Sequence, residues 1–316
     1  MKKIPFKSHE EWLKLRQVGL GGSDAYQIIL NKFGSPFSVW LDKTGRAVGE
    51  REESVPMLHG NMVEPLIREW FCRETGLKVE KPDYILRSDE YPFMQASLDG
   101  IGVDQDGNDF ILECKDTWSF DNENILSGGD LPEYWIIQLH HYFLVTGIKV
   151  AYVAYWFGNR VMEYQRIECD EELCDILLKK EIEFWKMVED DVEPEIDNAD
   201  TQTEQYVQQK FQNLIDQEIE REDLISIMQK QYELGQEISR LTQERKILTV
   251  KLQNEQGKFR KMSGGLYVAV NTRSPKIKKV FDVKAFQKEN AELYDEYCSE
   301  VVKNTGGYTV KKIKGA

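Results

Sequence analysis

Cysteine is sparse and unpatterned in this 316-residue sequence. The five present, Cys72, Cys114, Cys169, Cys174 and Cys298, are scattered, odd in number and without a CxxC pair, which argues against both a disulfide framework and a zinc site. A four-cysteine iron–sulfur cluster would need a tight C-terminal cysteine group, and none is there. The cysteines read as reduced core or surface thiols. No apolar run approaches the roughly 20 residues of a membrane span, and Met1-Lys-Lys-Ile-Pro leads into polar sequence, so a cytosolic protein is expected. Basic charge is also short. A net charge of -14 argues at first against a nucleic-acid partner, whose binding rests on Lys and Arg displacing counterions from phosphates. The deficit is uneven, however: residues 1–200 hold 39 acidic and 21 basic residues, whereas residues 257–316 hold 13 basic and 6 acidic. A locally basic C-terminal segment on an acidic protein is what contact with nucleic acid would require.

Hydrophobic periodicity predicts one mixed α/β domain over residues 1–192. Helices are expected at Glu10–Arg16, from Asp24 after a Gly19–Ser23 turn, at Leu58–Thr75 with Gly76 as its stop, at Pro132–Val145 and at Glu171–Glu189. Strands are expected at Tyr84–Leu86, Met94–Val103, Phe110–Lys115, Lys149–Phe157 and Val161–Ile167, with Asp104–Asp109 as a hairpin turn. An acidic, polar linker follows at 193–203. A 3-4 spacing then runs from Leu224 through Ile227, Gln231, Leu234, Ile238, Leu241, Arg245, Leu248 and Leu252, a coiled-coil-like seam that needs a partner helix. Tyr206–Ile219 could supply that partner, making 204–256 a helical hairpin, or another chain could. Residues 257–316 read as a basic β/α tip, with strands at Leu266–Thr272 and Lys276–Val280 and a helix near Val283–Tyr297.

The chemistry concentrates in Gln95-Ala-Ser-Leu-Asp99-Gly100 and Ile111-Leu-Glu113-Cys-Lys115. Alternation along a strand points Glu113 and Lys115 to one face and Cys114 to the other. With Asp99 ending the neighbouring strand, two carboxylates can converge on one divalent cation. Oxygen ligands favour Mg²⁺, with Mn²⁺ able to substitute. The backbone carbonyl of Cys114 is a candidate third ligand. A metal with a lysine meets the needs of phosphodiester hydrolysis, with Lys115 orienting or deprotonating the water or bracing the phosphate. Glu64, in the helical stretch His59–Phe71, adds a further acid, although taken singly it also fits a helix-surface glutamate.

These residues occur in the order Trp12-Leu-Lys-Leu-Arg16, Gly21-Gly-Ser23-Asp-Ala, the Glu64 helix, Ser97-Leu-Asp99-Gly100, Glu113-Cys-Lys115, and Gln138-Leu-His-His-Tyr142 with Thr146-Gly147. Over roughly Trp12–Trp185 the chain thereby resembles the YqaJ-type viral recombinase family of PD-(D/E)XK nucleases, the family that includes phage lambda exonuclease. The resemblance implies a restriction-endonuclease-like core, a central mixed sheet flanked by helices. It implies metal ligation by Asp99 and Glu113, a catalytic Lys115, Glu64 as the helical acid near the metals, and Gln138 lining the site. Arg16 and Ser23 match positions that hold a 5′-phosphate, a task suited to a guanidinium, a hydroxyl and turn N–H groups. His141 reads as a packing or hydrogen-bonding residue.

Two departures stand out: Leu98 replaces the proline of the motif, and Gly21 replaces a hydroxyl residue, removing one phosphate contact. The implied activity is Mg-dependent 5′ to 3′ digestion of linear double-stranded DNA from its ends. It would leave 3′ single strands for a RecT-type annealing protein in a bacterial or phage-infected cell, with a homo-oligomer such as a trimeric ring as the assembly. An endonuclease or structure-specific nuclease is the enzymatic alternative, and a non-catalytic DNA-binding or assembly protein the other.

Overall fold

The computed structural model of the chain describes residues 1–48, 54–117, 130–158, 161–211, 219–264, 267–270, 288–289 and 291. It divides into two compact units, Met1–Leu214 and Ile215–Ala316.

The first unit is built on a five-stranded sheet in the order β2-β5-β6-β7-β8, formed by β2 (Lys78–Glu80), β5 (Gly100–Val103), β6 (Asp109–Thr117), β7 (Val150–Phe157) and β8 (Val161–Glu168). β5 and β6 pair antiparallel across the expected turn. There the Asp104 carboxylate accepts the N–H groups of Asp106 and Asn108, and Gly107 takes a positive φ of 86°, the left-handed backbone that glycine supplies without steric cost. β6 pairs parallel with β7. A parallel pair requires a crossover, and α5 (Glu133–Thr146) lies between these strands in the chain.

β6 decides what each face carries. Ile111 packs with Leu139, Tyr142 and Phe143 of α5, while Phe110, Leu112 and Cys114 pack with Ile67 and Phe71 of α4 (Val55–Thr75). A second antiparallel sheet of β1 (Lys2–Pro5), β3 (Tyr84–Arg87) and β4 (Gln95–Ala96) has the order β1-β3-β4. Around these pack α1 (His9–Gln17), α2 (Gly22–Leu30), α3 (Pro36–Lys43) and α6 (Glu171–Glu189).

Several expectations shift. The single strand expected over Met94–Val103 is two strands in different sheets, β4 and β5, and Asp99 lies just before β5 rather than at a strand's end. The break lets Ser97 and Asp99 turn polar groups toward Trp12 and Cys114 instead of continuing a ladder. Helix α3 was not anticipated, although Ser35-Pro36 marks its start: the Ser35 hydroxyl accepts the Ser38 N–H, and Pro36 stands where no donor is needed. The stretch expected as a linker lies on the first unit. Asn198 donates to the carbonyls of Asn31 and Gly34, Asp200 accepts from Ser35, and α7 (Thr201–Lys210) places Tyr206 against Phe37. The unit therefore runs to Leu214, not 192, and Tyr206 is committed to its core cluster.

In the second unit a 3-10 turn at Glu222–Leu224 leads into α8 (Ile225–Gln256). Its seam residues Ile227, Leu234, Ile238, Leu241, Leu248 and Leu252 are exposed. β9 (Lys261–Gly264) and β10 (Tyr267–Val270) pair antiparallel, the latter inside the expected Leu266–Thr272 strand. The expected strand at Lys276–Val280 lies outside the described residues, as does the helix near Val283–Tyr297 apart from residues 288, 289 and 291. No helix among the described residues is long and apolar enough to cross a membrane.

Candidate active site

Strand β6 delivers Glu113 and Lys115 to the α5 face, where one residue of α5 joins them. The Lys115 ammonium donates to Gln138 Oε1 at 2.7 Å and lies 2.8 Å from Glu113 Oε1. The Gln138 amide in turn donates to Glu113 Oε1 and to the Tyr142 hydroxyl, each at 2.8 Å. Tyr142 donates onward to the Ser97 carbonyl at 3.2 Å. Gln138 is thus fixed by three partners, and it sets the distance between the lysine and the acid.

Glu113 is buried, yet among the described residues its Oε2 has no hydrogen-bond partner. A buried carboxylate oxygen left unpaired is costly, and a cation is the kind of partner that would offset the cost. Asp99 is half-buried beside it. It accepts the Cys114 N–H at 2.8 Å, but burial, then the charge of Glu113, then that of Glu64 push its carboxyl well above the usual range. Burial works against the charge on Lys115, but the charge and hydrogen bond of Glu113, with Asp99 adding to them, outweigh it and raise the ammonium's pKa.

Glu64 sits one helix turn before Arg68 on α4. Its Oε1 accepts Arg68 Nη1 at 2.6 Å and Lys81 Nζ at 2.5 Å, and Arg68 also donates to the Asp99 carbonyl at 2.9 Å. Two cations therefore draw Glu64 aside. Among the described residues no three His, Cys, Asp or Glu side chains stand assembled as a metal-holding group. The donor set on hand is Asp99, Glu113 and the Cys114 carbonyl, with Glu64 behind them. Two carboxylates and a carbonyl fit a hard, oxygen-seeking ion that keeps several waters.

The second cluster is at the start of α2. Arg16 Nη2 donates to Ser23 Oγ at 2.5 Å, and the guanidinium lies 4.9 Å from the Trp12 ring centre. The turn between them is pinned to β4: Leu20 N–H donates to the Phe93 carbonyl, Gln95 N–H to the Leu20 carbonyl, and the Gln95 amide to the carbonyls of Leu15 and Arg16. Gly22 brings α2 against α5, for a Cβ there would come within 2.7 Å of Gln138 Cγ and 2.8 Å of a Tyr142 ring carbon. The Arg16–Ser23 pair and the Gln138–Lys115–Glu113 group are therefore neighbours.

Beneath the turn, the buried Lys43 ammonium holds Asp24 at 2.8 Å and the Arg16 carbonyl at 3.0 Å. His141 has the packing role expected of it. One ring nitrogen meets both Glu181 oxygens and the other the Gln95 carbonyl, all at 2.9 Å. Burial opposes its charge, but Glu181 and the Gln95 carbonyl outweigh burial and raise its pKa. Sequence reasoning missed Arg68, Lys81 and Lys43: Arg68 stands four residues after Glu64 on α4, a spacing that pairs side chains on a helix, whereas Lys81 and Lys43 act across elements and nothing local marks them. Tyr142 lay inside a quoted motif, and its spacing of four from Gln138 on a helix was the available signal.

Residues 11–149 match the family of the YqaJ-like viral recombinase domain. Every residue of both clusters except Glu181 falls within that stretch. The uncharacterized protein YqaJ of Bacillus subtilis (strain 168) is 39% identical over 181 residues, 56% of this chain and 56% of that protein. The chain thus spans little more than half the length of that curated relative. Among solved structures, this chain is similar to an alkaline exonuclease, LHK-Exo, from Laribacter hongkongensis, with 21% identity, 58% of this chain and 94% of that one covered, and a TM-score of 0.49. It is also similar to a phage related exonuclease from Haemophilus somnus 129PT, with 13% identity, 57% and 97% covered, and a TM-score of 0.41.

Proposed function

We propose that this protein is a metal-dependent deoxyribonuclease that digests linear double-stranded DNA from 5′ ends and leaves 3′ single strands. The observation that carries the reading is the buried, unpartnered Oε2 of Glu113 beside an Asp99 whose carboxyl burial and neighbouring acids push up. A divalent cation between the two would let both stay ionised beside Lys115. The match of residues 11–149 to the YqaJ-like viral recombinase domain supports it.

Asp99, Glu113 and the Cys114 carbonyl would hold Mg²⁺, or Mn²⁺ in its place, with Glu64 as a further acid. Bound there, the ion would supply charge neutralisation and an activated water for phosphodiester hydrolysis. The chain's own residues do the rest. Lys115, held by Gln138, presents a positive charge where the scissile phosphate gains negative charge. Arg16, Ser23 and the N–H groups at the start of α2 hold a terminal 5′-phosphate, so the strand enters with one end fixed. A RecT-type annealing protein is the matching consumer of the 3′ strand, and several copies of the chain closing around DNA would make digestion processive.

The test is digestion of linear duplex DNA labelled at either end, with and without 5′-phosphate, in Mg²⁺ and in EDTA. Loss starting at phosphorylated 5′ ends in Mg²⁺ alone is expected, abolished by Asp99→Ala. Nicking of closed circular DNA would replace the reading with an endonuclease, and binding without cutting under any divalent metal would replace it with a non-catalytic DNA-binding protein.

A further inference from the structure

The loop between α2 and α3 displays an aromatic ring in an unusual way. Phe33 is 70% exposed, and its backbone has a φ of 62°. For a bulky residue the left-handed region is strained, and such strain persists only where the surroundings impose it. Here they do. Asn198 donates to the carbonyls of Asn31 and Gly34 on either side, the Asn31 amide donates to Asp197 at 2.8 Å, and a Cβ at Gly34 would strike the Gln27 amide. Residues 197–198 therefore clamp a loop whose product is an outward-facing phenyl ring, where burial would have been the cheaper arrangement.

Phe33 is not alone. Tyr134 of α5 meets it edge to face at 5.1 Å between ring centres, and Tyr26 of α2 at 6.2 Å. Neither ring lies flat on Phe33. Lys32 Nζ stands 4.6 Å from the Tyr134 ring centre and 5.4 Å from that of Phe33. The cluster adjoins both halves of the candidate site. Tyr26 follows Ser23 by three residues on α2, and Tyr134 precedes Gln138 by four on α5, spacings that share a helix face. One helix turn is about 5.4 Å, or one to two nucleotide steps at about 3.4 Å each.

We propose that Phe33, framed by Tyr26 and Tyr134 and flanked by Lys32, is a stacking site for an unpaired nucleobase of the DNA strand whose phosphates lie at Arg16–Ser23 and Lys115. An aromatic face accepts any base, and a lysine beside it answers the adjoining phosphate. The site would hold a frayed or single-stranded end, making it a binding element that the acids and lysine of the hydrolytic centre do not provide. It rests on the nuclease reading for the identity of the strand, and its test separates the two.

The full-length protein is titrated in EDTA with a 5′-phosphorylated single-stranded oligonucleotide carrying 2-aminopurine near its 5′ end, whose fluorescence falls when the base stacks. Strand cleavage is measured separately in Mg²⁺. Wild-type protein and Phe33→Trp should quench the probe, while Phe33→Leu should lose the quench and bind on the order of tenfold more weakly, as expected for one stacked base. Quenching and affinity unchanged in Phe33→Leu would overturn the stacking site and leave the nuclease reading intact. Phe33-dependent quenching without cleavage by the wild type would uphold the stacking site and remove the nuclease reading. No binding of the oligonucleotide by the wild type would overturn the stacking site outright.

Discussion

Lys43 and Asp24 are buried as an ion pair beneath the turn that carries Arg16, with Lys43 1% exposed at its side chain. Burial pushes the Asp24 carboxyl up, but Lys43, Arg16 and the Gly21 N–H together outweigh it and leave the group below its ordinary range. The stabilisation it gives is therefore full above the ordinary carboxylate pKa and is lost as pH falls through the depressed value. Removing one partner of such a pair strands the other charge. Lys43→Met should cost roughly 3–5 kcal/mol in urea unfolding, and adding Asp24→Asn should recover a large part of it. Full stability in the single variant would show that the pair does not support the turn. Gln138 works by the opposite logic: it is uncharged, and its value lies in holding Lys115 and Glu113 at fixed separations.

Helices α2 and α5 meet where Gly22 faces Gln138 and Tyr142, and the absence of a side chain there sets how closely they approach. An alanine Cβ would displace the Gln138 stem by several tenths of an ångström, and Gln138 carries Lys115 with it. Misplacement of a positioned group by about 1 Å can cost about a hundredfold in rate. Gly22→Ala should therefore lower the DNA-digestion rate by at least about tenfold, together with a loss of thermal stability from overpacking against Gln138 and the Tyr142 ring. Undiminished digestion would show that the approach of these helices does not set the geometry of the site. The β4–β5 break is also a matter of elements: two short strands in different sheets leave Asp99 on the segment between them, free to accept the Cys114 N–H across the hairpin.

For the whole molecule, the segment after α6 belongs to the first unit. Residues 197–200 clamp the Asn31–Ser35 loop, and α7 adds Tyr206 to the cluster of Phe37 and Trp40. A protein ending at residue 192 should melt several degrees below one ending at Leu214, because roughly 1 kcal/mol shifts the midpoint of a domain this size by about 2–4 °C and the shorter form uncovers Phe37. Equal midpoints in calorimetry would place the boundary at 192 after all.

The sequence by itself determined the elements whose information is local. The alternation in Phe110–Lys115 placed Glu113 and Lys115 on one face of β6, Asp104–Asp109 made the hairpin, and Gly76 and Gly147 ended α4 and α5 in left-handed caps. It also supplied the order of motifs that marks the YqaJ-like domain. Only the tertiary structure decided that Arg68 and Lys81 draw Glu64 aside, that Lys43 lies under Arg16, and that an apparent linker grips the loop displaying Phe33. Apart from the i,i+4 pair of Glu64 and Arg68, those pairings join residues far apart in the chain, and an ion pair or clamp of that kind leaves no periodic trace in either of the segments it connects. Charge and hydrogen-bonding capacity are properties of a residue, whereas the partner that satisfies them is a property of the packing.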